Sequence, residues 1–292
     1  MQKEIRQAIA ACPPELQRAV EALPETSQQR MEELRLRIGR EATVTIGERE
    51  APLAVTVKSE WVETILASAT GHAVYSAQEM MKNGFVTLRG GHRLGICGTA
   101  VYQNGTMSTL KDISSLNLRI ARELKGIGNR AADWLWTRPR STLIIGPPGR
   151  GKTTLLRDLI FQLSQRFSHR VCVADERMEL AAAVDGVPQF DLGSKTDVLS
   201  GVKKARAVEM LLRTMNPQWI ALDEITSEED VTAMVRASYC GVHFLATAHA
   251  EMPSELRHRP VYRSMVEAGV FENLIVILPN RTLQLERMIS LD

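Results

Sequence analysis

Two textures of apolar and polar positions divide the chain. In the first part, Leu16, Ala19, Val20 and Leu23 recur behind Pro13-Pro14, the spacing that lines one face of a helix. Thr43-Val44-Thr45-Ile46 alternates as a strand, and Pro52 to Val57 continues in the same manner,. A helix is predicted from about Glu60, with Trp61, Val62, Ile65, Leu66 and Ala69 on one face,. Ser76 and Glu79 have capping-box spacing, flanked by the apolar pair Tyr75 and Met80,. From Gly84 to Val101 short strands broken by glycines are expected, and Leu116 to Ile120 forms one more,. The pattern predicts a smaller α+β domain over residues 1–125.

Gly126-Ile127-Gly128 marks the expected hinge, followed by a short helix with Trp134 and Trp136. Beyond it, over residues 126–292, apolar runs alternate with helical stretches. The runs are Thr142 to Ile145, Arg170 to Ala174, Trp219 to Leu222 and Val242 to Thr247. The helical stretches lie near 152–166, 203–215 and 228–240. Alternation of this kind predicts an α/β domain whose mostly parallel sheet is covered by helices.

Composition narrows the class. The 292 residues are 44% hydrophobic and 24% charged, with a formal net charge of +2, ordinary for a soluble globular chain. That charge gives no footprint for nucleic acid or anionic lipid, and none is expected as a partner. No apolar stretch approaches the roughly 18 residues a membrane-spanning helix needs. The first residues, MQKEIRQAIAACPPE, carry charges where a signal peptide needs an apolar core,. Cys12, Cys97, Cys172 and Cys240 lie far apart, with no C-x-x-C pair, as expected of buried thiols in a reducing, cytoplasmic compartment.

The candidate chemistry sits at the ends of the apolar runs. Gly146-Pro147-Pro148-Gly149-Arg150-Gly151-Lys152-Thr153, continuing to Thr154, fits G-x-x-x-x-G-K-[ST],. An apolar strand leads in and an amphipathic helix leads out. The glycines let backbone N–H groups converge on phosphates at the positive end of the helix dipole. Lys152 is expected to reach the β- and γ-phosphates of ATP, and the Thr153 hydroxyl to ligate Mg²⁺. Trp219 to Leu222 ends in Asp223 and Glu224, which places one carboxylate for Mg²⁺ and one for the attacking water. Asp175 and Glu176 end a further run, and either is a candidate for the Mg²⁺ water shell or the attacking water,. The general base is thus open between Glu176 and Glu224. Val242 to Thr247 leads to His249, a candidate γ-phosphate sensor because imidazole donates to phosphate oxygens.

These four elements, in this order, resemble the type II and type IV secretion ATPases, RecA-like P-loop enzymes with an acidic box, a Walker B segment and a histidine box. The resemblance sharpens at Gly146-Pro-Pro, Gly186-Val187-Pro188-Gln189, Thr196-Asp197-Val198-Leu199, Leu212-Arg213 to Pro217 and Arg89-Gly90-Gly91-His92-Arg93-Leu94-Gly95-Ile96. Those segments look like the family of stage III sporulation protein AA. The chain departs from the type II enzymes in keeping Asp223 where they usually have glycine, and in lacking their four-cysteine zinc module.

The resemblance implies a RecA-like ATPase core preceded by a smaller α+β domain. It implies a homo-hexamer, peripheral at a membrane through membrane-embedded subunits of a mother cell–forespore channel complex. It further implies arginines of the first domain that close on the phosphates, with Arg89, Arg93, Arg119 and Arg122 as candidates and Arg93 and Arg119 held on strands. Hydrolysis would open and close the two domains about the Gly126 region. Two other readings are a RecA-like ATPase stimulated by nucleic acid and a nucleotide-binding scaffold.

Overall fold

The computed structural model describes residues 2–47, 49–71 and 84–288. The expected capping box at Ser76 and Glu79 lies outside the described residues. The chain forms two compact units, Met1–Arg122 with Ala182–Gln189, and Glu123–Ala181 with Phe190–Asp292. Each has its own buried core.

In the first unit, helices α1 (Lys3–Ala8), α2 (Pro14–Glu21), α3 (Glu25–Arg30) and α4 (Ser59–Ala69) accompany six strands. These are β1 (Met31–Arg37), β2 (Glu41–Ile46), β3 (Arg49–Thr56), β4 (Phe85–Thr87), β5 (Arg93–Gln103) and β6 (Thr106–Arg119). They form one antiparallel sheet in the order β3-β2-β1-β6-β5-β4. Alternation sets the buried face: Leu34 and Leu36 of β1, Leu94 and Ile96 of β5, and Leu116 and Leu118 of β6 are all buried,. Helices α2 and α4 cover that face with Leu16, Val20, Trp61, Val62 and Ile65.

The glycine-broken strands expected between Gly84 and Val101 are instead β4 and a single eleven-residue β5. Gly98 lies inside β5 because the partner strand comes too close for a side chain. A Cβ there would stand 2.6 Å from the Lys111 carbonyl oxygen,. The segment Ala182–Gln189 belongs to this unit, where Gln189 Oε1 accepts the N–H of Gly90 at 2.9 Å.

The second unit holds α5 (Asn129–Thr137), β7 (Thr142–Ile145), α6 (Lys152–Phe161), β8 (Val171–Asp175), β9 (Thr196–Ser200) and α7 (Lys204–Thr214). It continues with β10 (Trp219–Leu222), α8 (Glu228–Ser238), β11 (His243–Ala248), α9 (Pro260–Glu267), β12 (Asn273–Ile277) and β13 (Leu283–Arg287). Seven strands run in the order β13-β12-β7-β11-β10-β8-β9. All pair in parallel except β12 with β13. Strands β7, β8, β10 and β12 are buried at every position, as expected of parallel strands covered on both faces.

Gly126-Ile127-Gly128, the expected hinge, is hydrogen-bonded within this unit. The buried carboxylate of Asp158 on α6 accepts the N–H of Gly126 at 2.9 Å and of Gly128 at 2.7 Å. Strand β11 lies between β7 and β10, so the C-terminal ends of all three open on one edge of the sheet. Ligands of parallel α/β sheets bind at that edge.

Candidate active site

The loop after β7 is shaped by its glycines. Gly149 and Gly151 have φ of 73° and 94°, left-handed backbone that glycine adopts without a Cβ penalty. Gly151 is the N-cap residue of α6. The first-turn N–H groups of that helix lie outside its own hydrogen-bond ladder and carry the positive end of its dipole toward the loop. Arg150 turns away and donates to the Pro279 carbonyl at 2.9 Å.

Lys152 is buried within this loop. Its Nζ donates to the carbonyls of Gly146 (2.7 Å) and Pro147 (3.0 Å) and meets His249 Nδ1 at 2.8 Å. Burial pulls the lysine below its ordinary pKa, while Asp223 and Glu224 oppose that shift,. An ammonium has donors only, so Nδ1 is the acceptor and the ring proton sits on Nε2. From there His249 donates to Glu224 Oε1 at 3.1 Å. The Tyr262 hydroxyl accepts the backbone N–H of His249 at 3.1 Å and fixes the end of β11.

A second line of contacts runs beside the first. The Thr153 hydroxyl donates to Asp223 Oδ2 at 2.7 Å, and the Thr247 hydroxyl donates to Oδ1 at 2.5 Å. Glu224 has φ of 42°, a left-handed backbone that costs a side-chain-bearing residue about 1–3 kcal/mol unless its surroundings impose it. Here they do. Its N–H donates to Thr247 Oγ1 at 2.8 Å, and the N–H of Ile225 donates to the Thr247 carbonyl at 3.0 Å. Thr247 therefore fixes the Asp223 carboxylate and the Glu224 backbone, a role its place in the apolar run did not single out.

The acidic pair after β8 has other partners. Asp175 Oδ1 accepts the N–H groups of Glu179 and Leu180 at 2.9 and 3.0 Å, and Oδ2 that of Ala181 at 2.8 Å. Burial pushes this carboxyl up against the lowering effect of those bonds,. Asp175, a candidate metal ligand in sequence, instead builds a turn. Glu176, a candidate base, is bound by the buried Lys204 at 2.7 Å. Burial raises Glu176, but the hydrogen bond and charge of Lys204 outweigh it and leave the carboxyl lowered. Lys204 also lies 3.9 Å from Asp230, so it joins the acidic pair to the first turn of α8. Between them Arg177 reaches Glu224 Oε2 at 3.1 Å. A small cleft at the ends of β8 and β10 is lined by Asp175, Glu176, Arg177, Asp223 and Glu224.

The structure thus brings Lys152, Thr153, Asp223, Glu224 and His249 together. The expected arginines belong to the first unit. Arg93 and Arg119 are opposite each other across β5 and β6. The Arg93 guanidinium stacks 3.6 Å over the Phe85 ring, and Arg119 pairs with Glu33 at 3.4 Å. Arg122 is engaged by the Met31 carbonyl at 2.6 Å.

The profile of the family described as "Sporulation stage III, protein AA" matches residues 2–283. The chain is 35% identical over 269 residues to Stage III sporulation protein AA of Bacillus subtilis, covering 90% of this chain and 87% of that one. It is 29% identical over 136 residues to the competence protein ComGA of Streptococcus pneumoniae, 47% of this chain and 39% of that one. In fold it is similar to the pilus retraction motor PilT, whose crystal structure holds ADP, with TM-score 0.65 and 19% identity over 94% of this chain and 81% of that one. The Legionella pneumophila ATPase DotB gives TM-score 0.58 and 15% identity over 94% and 80%. The second unit therefore has the RecA-like fold of these ATPases, and a smaller α+β unit precedes it in the chain.

Proposed function

The chain belongs to the family of sporulation stage III protein AA, and from the site it carries we propose that it binds Mg²⁺–ATP and hydrolyses it as a secretion-type motor. One observation carries this reading. At the ends of three adjacent parallel strands, Lys152, His249 and Glu224 form one hydrogen-bonded chain, with Thr153, Asp223 and Thr247 forming a second beside it.

In this reading Lys152 and the first turn of α6 receive the phosphates. Lys152 has three donors, and Gly146, Pro147 and His249 use them. A phosphate oxygen that takes a donor from His249 frees Nδ1 and alters the bond from Nε2 to Glu224. His249 thereby reports the γ-phosphate to the carboxylate.

Thr153 and Asp223 suit magnesium, since they set two hard oxygens side by side,. Among the described residues no cluster of three metal-binding side chains exists, so the ion would share its shell with phosphate oxygens and water. Bound there, it would neutralise charge developing on the phosphates.

Glu224 is the base that takes a proton from the attacking water. Glu176 is tied to the buried Lys204 and Asp175 to backbone N–H groups, whereas Glu224 stands beside Asp223 and is joined through His249 to Lys152. The nucleotide is the cycle's fuel, and a membrane-embedded partner of the sporulation channel complex is what the motion acts on. No helix among the described residues is long and apolar enough to cross a membrane, and in this reading the membrane is reached through that partner. The reading includes a hexamer, in which Arg93 and Arg119 close on a nucleotide held between subunits or between the two domains of one subunit. Arg93→Ala subunits doped into wild type test this, and turnover unaffected by the doping would refute it.

The proposal is tested by phosphate release from ATP by the purified chain, with and without Mg²⁺. Magnesium-dependent turnover that Lys152→Ala abolishes supports it. ATP bound but never hydrolysed, in a chain that still supports sporulation, would instead make the protein a scaffold.

A further inference from the structure

The turn after β8 is rigid beyond what a surface turn requires. Met178 N–H donates to the Asp175 carbonyl at 3.2 Å, and the Asp175 carboxylate holds three further N–H groups. The next side chain, Glu176, is tied to the buried Lys204. Arg177 stands between these two anchors and sends its Nη1 to Glu224 Oε2 at 3.1 Å, while His249 holds Oε1 at the same distance. The carboxylate is gripped from both sides, on a backbone already fixed by Thr247.

We infer that Arg177 is a positioning residue for the reaction, which aims the Glu224 carboxylate and does not touch the nucleotide. The inference rests on the reading of Glu224 as base. Arg177 has 60% of its side chain exposed, so the pair contributes little to stability. Its value is orientation. A carboxylate free to rotate on a flexible side chain spends most of its time misaimed, and catalytic groups must be held within roughly 0.5 Å of their working position. The arginine is well suited because its fork is planar and its turn is already ordered.

The test compares wild type, Arg177→Gln, Arg177→Lys, Glu224→Gln and the Arg177→Gln/Glu224→Gln double variant, all checked by thermal melt. Arg177→Gln is expected to lower kcat about 10- to 100-fold, the loss typical of an outer positioning contact. KM for ATP and the Kd of a fluorescent ATP analogue should stay within about twofold, since binding is not the step affected. Arg177→Lys should recover part of the loss. In the Glu224→Gln background, single-turnover phosphate release should show no further fall. An unchanged kcat in Arg177→Gln overturns the inference. So does weakened analogue binding, which would make Arg177 a nucleotide ligand, or an additional loss in the double variant. A Glu224→Gln chain that still turns over removes the base reading and this role together; failure of Arg177→Gln alone removes only the role of Arg177.

Discussion

The hydroxyl of Thr153 and the carboxylate of Asp223 meet at 2.7 Å across 70 positions of sequence. The contact joins the start of α6 to the end of β10, although β11 stands in the sheet between β10 and β7, the strand that leads into α6. It also puts a hydroxyl and a carboxylate where one ion can bridge them. Thr153→Ala should raise the Mg²⁺ concentration needed for half-maximal phosphate release roughly 10- to 100-fold, and Thr153→Ser should leave it near wild type. An unaltered Mg²⁺ titration in Thr153→Ala would remove this pair from the metal site.

Lys204 is a buried cation with carboxylates of two elements beside it. Lys204→Met leaves Glu176 and Asp230 without it. Because Glu176 is about one-third exposed, the cost should fall below that of a fully buried pair, roughly 2–3 kcal/mol in urea unfolding. A change within about 0.5 kcal/mol, the range of ordinary surface substitutions, would mean the triad is not structural.

Asp158 holds the segment from Gly126 to Gly128. Asp158→Ala strands the amides of Gly126 and Gly128, and the loss should be roughly 2–5 kcal/mol. Hydrogen exchange localises the effect: those two amides should lose protection first. Protection unchanged at both would show that the segment is held by other means.

His92 of the first unit is fully buried, and its Nδ1 accepts the N–H of Ala121 at 3.1 Å. Burial holds its pKa down at about 4, against an ordinary 6.5. The unfolded chain therefore binds this proton at a pH where the folded chain refuses it. Stability present above pH 6.5 should fall as the pH drops toward 4, by about 3 kcal/mol in all. Denaturant melts of wild type and His92→Gln across this range check it. The variant should show the shallower decline, and parallel declines would contradict the assignment.

What the sequence made legible follows from how local each signal is. The P-loop, its strand and its helix are contiguous, so Gly146 to Thr154 could be read directly. Asp223, Glu224 and His249 stood out because each follows an apolar run that only a buried parallel strand explains. Strand β1 was there to be read in the alternation Glu33-Leu34-Arg35-Leu36-Arg37, and β12 in Leu274-Ile275-Val276-Ile277. Strand β9, at the sheet edge and nowhere fully buried, has no apolar run to betray it. Arg177 and Lys204 had no signal at all. Their partners lie 47 and 28 positions away, and only the fold supplies the turn that aims them. The same limit applied to Asp175 and Glu176, whose strand-end position looked catalytic until the backbone and Lys204 were seen to occupy them.

Glu224→Gln separates the proposed activation of the attacking water by Glu224 from the holding of ATP by Lys152. The substitution keeps the shape and removes the base. The measurement is equilibrium binding of ATP alongside phosphate release by the same preparation. Binding should stay within about twofold of wild type and turnover should fall about 10²- to 10⁴-fold, the contribution of a general base. Turnover within a few-fold of wild type, with ATP still bound, would contradict it.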